Sequence, residues 1–210
     1  GSLVRMIAYF HNTPILGQEG RKKDLSYHVI EGSMVGSARE EFVNDILQMP
    51  ETTHLLFIDE DMGFREDTLH ILLSRQVPYV ACNYRKKIPP CGFTSRNIDD
   101  TDWIETKETS DSLEEAFFTG FGFCLIEKQV LKATKSPRFS NVWSDKWNTY
   151  STEDRSFCIL AREAGFTLYV DHKASKRVYH QGPYNYSYDD SFPAYKKLPI
   201  AERMRTKQKA

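Results

Sequence analysis

The chain has 210 residues, of which 40% are hydrophobic and 13% aromatic, a length and composition that support one folded domain with a buried core. Its 28 lysines and arginines against 29 aspartates and glutamates leave a formal net charge of −1, which argues against general nucleic-acid binding. No apolar run reaches the roughly 18 residues that a membrane-spanning helix needs.

The 4 cysteines are far apart and form no CxxC pair. They are Cys82, Cys91, Cys124 and Cys158. This spacing predicts reduced, buried thiols, and the N-terminus lacks the basic-then-apolar pattern of a secretory signal, so we expect a soluble cytoplasmic protein. The leading Gly1-Ser2 resembles a cloning remnant, which is compatible with a larger multidomain parent chain.

Short apolar runs alternate with helical patterns over the first 83 residues. Ser37 is the predicted N-cap of the first helix, with Glu40 as the other half of a capping box. The alternation favours an α/β fold with a mixed, mostly parallel, Rossmann-like central sheet flanked by helices. In chain order we predict a strand at 3–10, a helix at 37–49, a strand at 54–58, a helix at 66–73 and a strand at 79–83.

The second half of the chain is less regular, but it shows neither a repeat nor a clear linker. We therefore predict a single domain over 3–195, followed by a basic tail or helix over 196–210. The predicted elements are an edge strand at 103–104, a strand at 117–126, a helix at 128–134, a loop at 138–150, a helix at 152–164 and a strand at 166–170.

Three carboxylates, Asp59-Glu60-Asp61, follow the apolar run at 54–58. Such a concentration of negative charge needs a cation or hydrogen-bond donors opposite it. In an extended segment Asp59 and Asp61 point to the same side, and their oxygen atoms suit Mg2+ or Mn2+. An acidic cap on the following helix would explain the triplet equally well.

A second acidic pair, Glu153-Asp154, begins the predicted helix at 152–164, where the helix dipole stabilises carboxylates. Ordinary helix capping explains such a pair when it is taken alone. His180 lies in Tyr179-His180-Gln181-Gly182, and its imidazole is able to complete a carboxylate-bound metal site.

The order and spacing of four segments resemble the nucleotide-sugar glycosyltransferases of the GT-A fold, particularly family 2. The run HLLFIDEDMGFREDTLHILL at 54–73 resembles the strand, DxD motif and helix of that family. Ser37-Ala38-Arg39 is similar to its preceding helix start, and 119–126 is similar to its small-residue strand. Glu153-Asp154, with Arg162, Gly165 and His180 after it, resembles its ED...R...G...H block.

The resemblance implies a metal-dependent hexosyltransferase-like enzyme that takes a sugar from a nucleoside-diphosphate sugar, with UDP favoured. Mn2+ or Mg2+ would be held by Asp59 and Asp61, with His180 as a third ligand. Asp154, with Glu153 as the less favoured choice, would be the base that activates an acceptor hydroxyl on a glycan or another molecule, which gives inversion. The donor-binding positions that it implies are Tyr9, Arg39, Asp59, Arg85 and Gly120.

Several alternatives stay open at this point. His180 as a metal ligand also suits a retaining GT-A enzyme, and a catalytically inactive module that binds metal and nucleotide-sugar would keep the same acids. A nucleotidyltransferase is disfavoured because 10–14 offers no Gly-rich basic loop after the first predicted strand. The basic tail beside tyrosines leaves a nucleic-acid acceptor as a further alternative.

Overall fold

The computed structural model describes residues 1–20, 23–30, 34–87, 91–145, 148–182 and 185–189. These residues form one mixed α/β domain around a 6-stranded sheet, with helices on both faces. The predicted basic tail at 196–210 and the predicted domain end at 195 lie outside the described residues. Within the described ranges, no helix is long and apolar enough to cross a membrane.

The helices are α1 (Ser2–Asn12), α2 (Val35–Gln48), α3 (Thr68–Ser74), α4 (Lys128–Ala133), α5 (Glu153–Glu163) and α6 (His172–Ser175). The strands of the main sheet are β1 (His54–Ile58), β3 (Tyr79–Ala81), β4 (Arg96–Asn97), β5 (Leu113–Phe118), β6 (Phe123–Glu127) and β9 (Leu168–Asp171). Two small two-stranded antiparallel sheets are formed by β2 (Met62–Phe64) with β10 (Val178–His180), and by β7 (Trp143–Ser144) with β8 (Thr149–Tyr150).

The main sheet is mostly antiparallel, so the predicted mostly parallel, Rossmann-like order is wrong. The strand order is β1-β6-β3-β9-β5-β4, and β3–β9 is the parallel pair among the described strands. The physical reason is that β6 lies between β1 and β3 and runs antiparallel to both. Although β1, β3 and β9 run in one direction, β5 and β6 run in the other.

The predicted first strand at 3–10 is also wrong, because this run forms helix α1. Met6 and Phe10 lie one helical turn apart and are both buried. The ring of Phe10 contacts that of His70 on α3, with centroids 5.7 Å apart. An eight-residue apolar run suits a helix as well as a strand, and packing against α3 decides between them.

Three smaller predictions also differ from the structure. The helix α2 begins at Val35, two residues before the predicted cap Ser37, and no side chain caps it. The predicted strand at 117–126 is two strands, β5 and β6, separated by a glycine-containing turn at 119–122. Trp103 forms an isolated bridge with Arg96 instead of an edge strand, and the predicted loop at 138–150 contains β7 and β8.

The core lies on both faces of the sheet, as β3 shows. Tyr79 and Ala81 belong to the cluster under α2, α4 and α5, whereas Val80 and Cys82 belong to the cluster under α1 and α3. All 4 cysteines are buried and free, as the sequence predicted.

The carboxyl ends of β1 and β3 lie at the same edge of the sheet, because both strands are antiparallel to β6. Asp59 follows β1 at this edge, and 83–87 follows β3. The turn at 119–122 leads into β6 beside them, with the Asp59 N–H donating to the Gly122 carbonyl at 3.1 Å. The fold thus collects the predicted acidic segment and two glycines at one edge.

Candidate functional site

A buried arginine joins the first acidic segment to the start of α5. Arg39 is 6% exposed on α2, and its guanidinium donates to Asp59 at 3.0 Å and to Glu153 at 2.8 Å. The guanidinium also lies over the Phe121 ring, 5.1 Å from its centroid. Burial alone would lower the pKa of Arg39, but the carboxylates of Asp59, Glu153 and Asp154 together outweigh it and raise that pKa. Arg39 is therefore a fixed positive charge between the two predicted acidic clusters.

The second aspartate of the acidic segment has different partners. Asp61 Oδ2 lies 2.6 Å from the Lys87 ammonium and 3.2 Å from His180 Nε2. Burial by itself would raise the pKa of Asp61, but Lys87 and His180 lower it. His180 arrives through the pairing of β10 with β2, which places it opposite Met62. The structure therefore brings together two of the three predicted metal ligands.

Asp59 does not join them, because the segment forms a turn, whereas only an extended segment would point Asp59 and Asp61 to the same side. The Met62 N–H donates to the Asp59 carbonyl at 3.0 Å, which closes a reverse turn over 59–62. Asp59 contacts Arg39, whereas Asp61 contacts Lys87. In the described part of the chain, no three His, Cys, Asp or Glu side chains meet as a metal-binding group.

The environment of His180 nevertheless fits a ligand for a divalent cation. Its Nδ1 lies 3.0 Å from the Arg85 carbonyl, an acceptor, so Nδ1 carries a proton and Nε2 is the ring nitrogen that faces Asp61. Metal-binding histidines commonly donate their second nitrogen to a backbone carbonyl in this way. Two neighbouring ligands at about 2.1 Å from an octahedral cation lie about 3 Å apart, close to the 3.2 Å seen here. Lys87 would have to leave Asp61 for such a cation to bind.

Asp154 lies at the start of α5, in the first turn with Glu153. Thr152 is the N-cap residue, but its hydroxyl donates to the Asp154 carboxylate and leaves the helix without a side-chain cap. The Arg155 N–H also donates to this carboxylate, at 2.8 Å. Burial raises the pKa of Asp154, with the charge of Glu153 acting in the same direction. A carboxylate with a raised pKa is suited to accepting a proton.

A cavity of about 390 Å³ opens beside Asp154. Its walls come from the two segments around β4, from β5 and from the β7–β8 hairpin with the start of α5. It is lined by Tyr84, Lys86, Thr94, Arg96, Asp100, Trp103, Phe118, Gly120, Ser144, Thr149, Tyr150, Ser151, Thr152, Asp154 and Arg155. The mixture of aromatic rings, cations and one carboxylate with a raised pKa is typical of a site for a small polar ligand.

Tyr84 connects this cavity with the acidic segment. Its phenol accepts a hydrogen bond from the Gly122 N–H at 2.9 Å. Burial raises the pKa of Tyr84, and the charges of Asp59 and Asp154 raise it further, so both carboxylates interact electrostatically with this phenol. A Cβ at Gly120 would lie 2.6 Å from the Tyr84 hydroxyl, and one at Gly122 would lie 2.6 Å from the same atom. These two glycines therefore make the space that Tyr84 occupies.

Two other predicted donor-binding residues have structural surroundings. Tyr9 is on α1, away from the acidic residues, with its ring 4.8 Å from that of His70. Arg85 lies over Phe93, 4.0 Å from the ring centroid, and donates to the Tyr188 carbonyl at 3.1 Å. The structure thus places Tyr9 apart from the site, and it places Arg85 beside it mainly through its backbone carbonyl.

The sequence reasoning missed Lys87, Asp100, Arg155 and Tyr150. Lys87 is the last residue of the basic run Arg85-Lys86-Lys87 that follows β3, and this run is the sequence signal that could have identified it. Asp100 and Arg155 bind each other at 2.6 Å across 55 residues of sequence. Such a long-range ion pair leaves no local signal in the sequence.

The comparisons with known proteins address the fold and not the chemistry. No family model matches the sequence, and no curated protein matches it. A solved structure titled "Crystal Structure of A197 from STIV" is similar, with a TM-score of 0.51 and 18% sequence identity. The similarity covers 80% of this chain and 83% of that chain. At this identity the similarity supports the mixed α/β fold alone.

Proposed function

We propose that the chain is a metal-dependent glycosyltransferase that moves a sugar from a nucleoside-diphosphate sugar, with UDP favoured, to an acceptor hydroxyl. The observation that carries this proposal is the pairing of two sites at one sheet edge. Asp61 and His180 offer the donor set for a divalent cation, and Asp154 lies beside the cavity with a raised pKa. The resemblance of the DxD, glycine and ED segments to family 2 glycosyltransferases supports the same proposal.

On the donor side, Asp61 and His180 would hold Mn2+ or Mg2+, with Asp59 close by on the same turn. The cation supplies charge that stabilises the departing diphosphate. Lys87 already neutralises Asp61 at 2.6 Å, and once displaced its ammonium is available to a phosphate oxygen. Arg39 keeps Asp59 oriented from beneath.

On the acceptor side, Asp154 takes the proton of the acceptor hydroxyl. The hydroxyl oxygen then forms a bond to the anomeric carbon while the bond from that carbon to the diphosphate oxygen breaks, and the electron pair leaves with the diphosphate. Attack from the face opposite the diphosphate inverts the anomeric configuration. Retention is the alternative, and the anomeric proton coupling of the product in NMR spectra distinguishes the two.

Calorimetric titration with UDP, GDP and UDP-sugars, each with and without Mn2+, tests the donor side. We expect binding that requires Mn2+ and that the Asp61→Ala and His180→Ala variants lose. Glu60→Ala is the matched control, since Glu60 is exposed in the same turn and should bind like the parent chain. Equal binding with and without Mn2+, or no binding of any nucleotide, would overturn the proposal.

A second candidate is a binding module without turnover, and the ion pairs of the acidic segment favour it. Arg39 and Lys87 neutralise Asp59 and Asp61 without a metal. Such a module would bind nucleotide but release no UDP from a UDP-sugar in the presence of acceptors. The proposed enzyme releases UDP from a UDP-sugar when acceptor is present. Its Asp154→Asn variant should bind the nucleotide but release no UDP from the UDP-sugar.

A further inference from the structure

We infer that the cavity beside Asp154 selects an acceptor that carries an acidic group, a carboxylate or a phosphate, which pairs with Lys86. The inference rests on the proposed function, because it names the class of molecule whose hydroxyl Asp154 would activate. The acceptor class that fits is a sugar acid or a sugar phosphate.

Three cationic side chains line the cavity, and they differ in their partners. Arg96 and Arg155 both bind Asp100, at 3.2 Å and 2.6 Å, so their charges are partly compensated within the protein. Lys86 differs, since it forms no ion pair with any residue in the described ranges. It is half-buried, and burial followed by the charge of Arg96 lowers its pKa, although the Asp154 carboxylate acts in the opposite direction. A partly desolvated cation of this kind gains most from an anionic ligand.

The position of Lys86 is fixed before any ligand arrives. Its ammonium lies over the Trp103 ring, 3.5 Å from the centroid, an arrangement that cation–π attraction stabilises. Its backbone N–H donates to the Gly92 carbonyl at 2.9 Å, which ties this segment to the one that follows it. Preorganisation of this kind reduces the entropy lost when a ligand binds.

Lys86 belongs to the acceptor side and not to the donor side. Lys87 contacts Asp61 in the predicted metal site, whereas Lys86 contacts Trp103 in the cavity. The two lysines therefore serve different ligands, and the acid of the acceptor lies away from the donor diphosphate.

An aromatic surface at the cavity rim suits the rest of such an acceptor. Tyr150 lines the cavity and is 65% exposed, with its ring held by an edge contact to Trp143 at 5.2 Å. An exposed ring offers an apolar face to the C–H side of a sugar. Asp154 repels an acidic group and attracts a hydroxyl, so the charges orient the acceptor with its acid at Lys86 and its hydroxyl at Asp154.

Binding of glucuronate, glucose 6-phosphate and glucose, measured by ligand-observed NMR titration, tests the inference. We expect one or both acidic sugars to bind at least about tenfold more tightly than glucose, since a hydrogen bond to a charged group is worth roughly ten- to a hundredfold in affinity. Comparison of glucuronate with glucose 6-phosphate identifies the carboxylate or the phosphate as the preferred acid. Lys86→Met should remove the preference, and Lys86→Arg should keep most of it. Lys132→Met, on the exposed face of α4, is the control.

Several results would overturn the inference. Glucose binding as tightly as the acidic sugars, or no detectable binding of either acidic sugar, would do so. A preference for acidic sugars that survives Lys86→Met would also do so. Inorganic phosphate binding as tightly as glucose 6-phosphate would mean an adventitious ion only. Loss of UDP binding in Lys86→Met would also overturn it, by moving Lys86 to the donor side. Acidic-sugar binding without any nucleotide binding would instead overturn the proposed function, so the two failures are distinguishable.

Discussion

At the residue scale, Asp154 has a pKa that is raised by burial and by Glu153. The proposed general base works only when deprotonated, so kcat/KM should fall as the pH falls through this raised pKa, above the value of about 3.9 for a free aspartate. Asp154→Asn should lower kcat by about 10²- to 10⁴-fold and leave nucleotide binding unchanged. The measurement is a pH profile of UDP release together with calorimetric binding of UDP.

The same substitution should stabilise the fold at neutral pH. When the folded pKa of an acid is raised, stability is lost as the pH rises from the unfolded pKa to the folded one. The Asp154→Asn variant should therefore melt at a higher temperature than the parent chain at pH 7, and the gain should disappear below the ordinary aspartate pKa. The exposed Asp45→Asn variant is the control, and a lower melting temperature for Asp154→Asn at pH 7 would contradict the assignment.

Arg39 is expected to be a stability determinant as well as a link between the acids. Arg39→Met leaves Asp59 and Glu153 without their cation. Because those carboxylates are 38% and 24% exposed, we expect a loss in unfolding free energy below the about 3–5 kcal/mol of a fully buried pair, and above 1 kcal/mol. Urea unfolding measures it, with Arg5→Met, whose pair with Glu66 is exposed, as a control that should change little.

The sequence predicted the site unevenly. The resemblance implied that Asp61 and His180 lie together, and their side chains are 3.2 Å apart in the structure. The sequence placed Asp154 at the start of a helix but gave no signal for the cavity beside it. The separation of Asp59 from Asp61 did not follow from the sequence, because the acidic triplet is compatible with a turn as well as with an extended segment. The partner of Asp59, Arg39, was predicted as a nucleotide contact, since no pattern tells a buried arginine from a ligand-binding one.

At the scale of elements, the turn between β5 and β6 depends on Gly120 and Gly122. An alanine at either position would place its Cβ 2.6 Å from Tyr84, so we expect each substitution to cost about 1–3 kcal/mol of unfolding free energy. Gly92→Ala is the matched control, because nothing lies within 4 Å of its added Cβ. Thermal or urea unfolding of the three variants checks this.

Tyr84→Phe sharpens the test. At Gly120 the nearest atom to an added Cβ is the Tyr84 hydroxyl at 2.6 Å and the ring carbon Cζ is at 3.1 Å, whereas at Gly122 the Cζ itself is at 2.6 Å. Removal of the hydroxyl should therefore rescue Gly120→Ala more than Gly122→Ala in a double-mutant cycle. Equal coupling energies at the two glycines would contradict the described packing of the phenol.

The elements show which parts of the fold lie in local sequence. The strand at 54–58, the helix over 153–163 and the strand near 168–171 have clear periodicity and punctuation, and the structure confirms them. The helical conformation of α1 and the antiparallel orientation of β6 depend on contacts between residues that are distant in sequence. A short apolar run is compatible with a helix or a strand, and its packing against α3 decides which one forms. Whether β6 is parallel or antiparallel to its neighbours is decided by its pairing with β1 and β3.

At the scale of the whole molecule, β1, β3 and the turn before β6 bring the proposed donor and acceptor sides to one sheet edge. Metal and nucleotide should therefore stabilise the fold cooperatively. Mn2+ alone has to displace Lys87 from Asp61, so we expect it to raise the melting temperature little. UDP bound together with Mn2+ would offer phosphate oxygens to the displaced ammonium, so we expect the two ligands together to raise the melting temperature more.

At a hundred times the dissociation constant, bound ligand adds about 2.7 kcal/mol of stability. For a chain of this length that corresponds to a rise of roughly 5–10 °C in Tm. Differential scanning fluorimetry with Mn2+, with UDP and with both measures it, and EDTA should reverse the combined shift. The Asp61→Ala variant should show no combined shift, whereas Glu60→Ala should show all of it. Additive shifts from Mn2+ and UDP would mean that the two ligands bind at independent places, and this would contradict the proposed shared site.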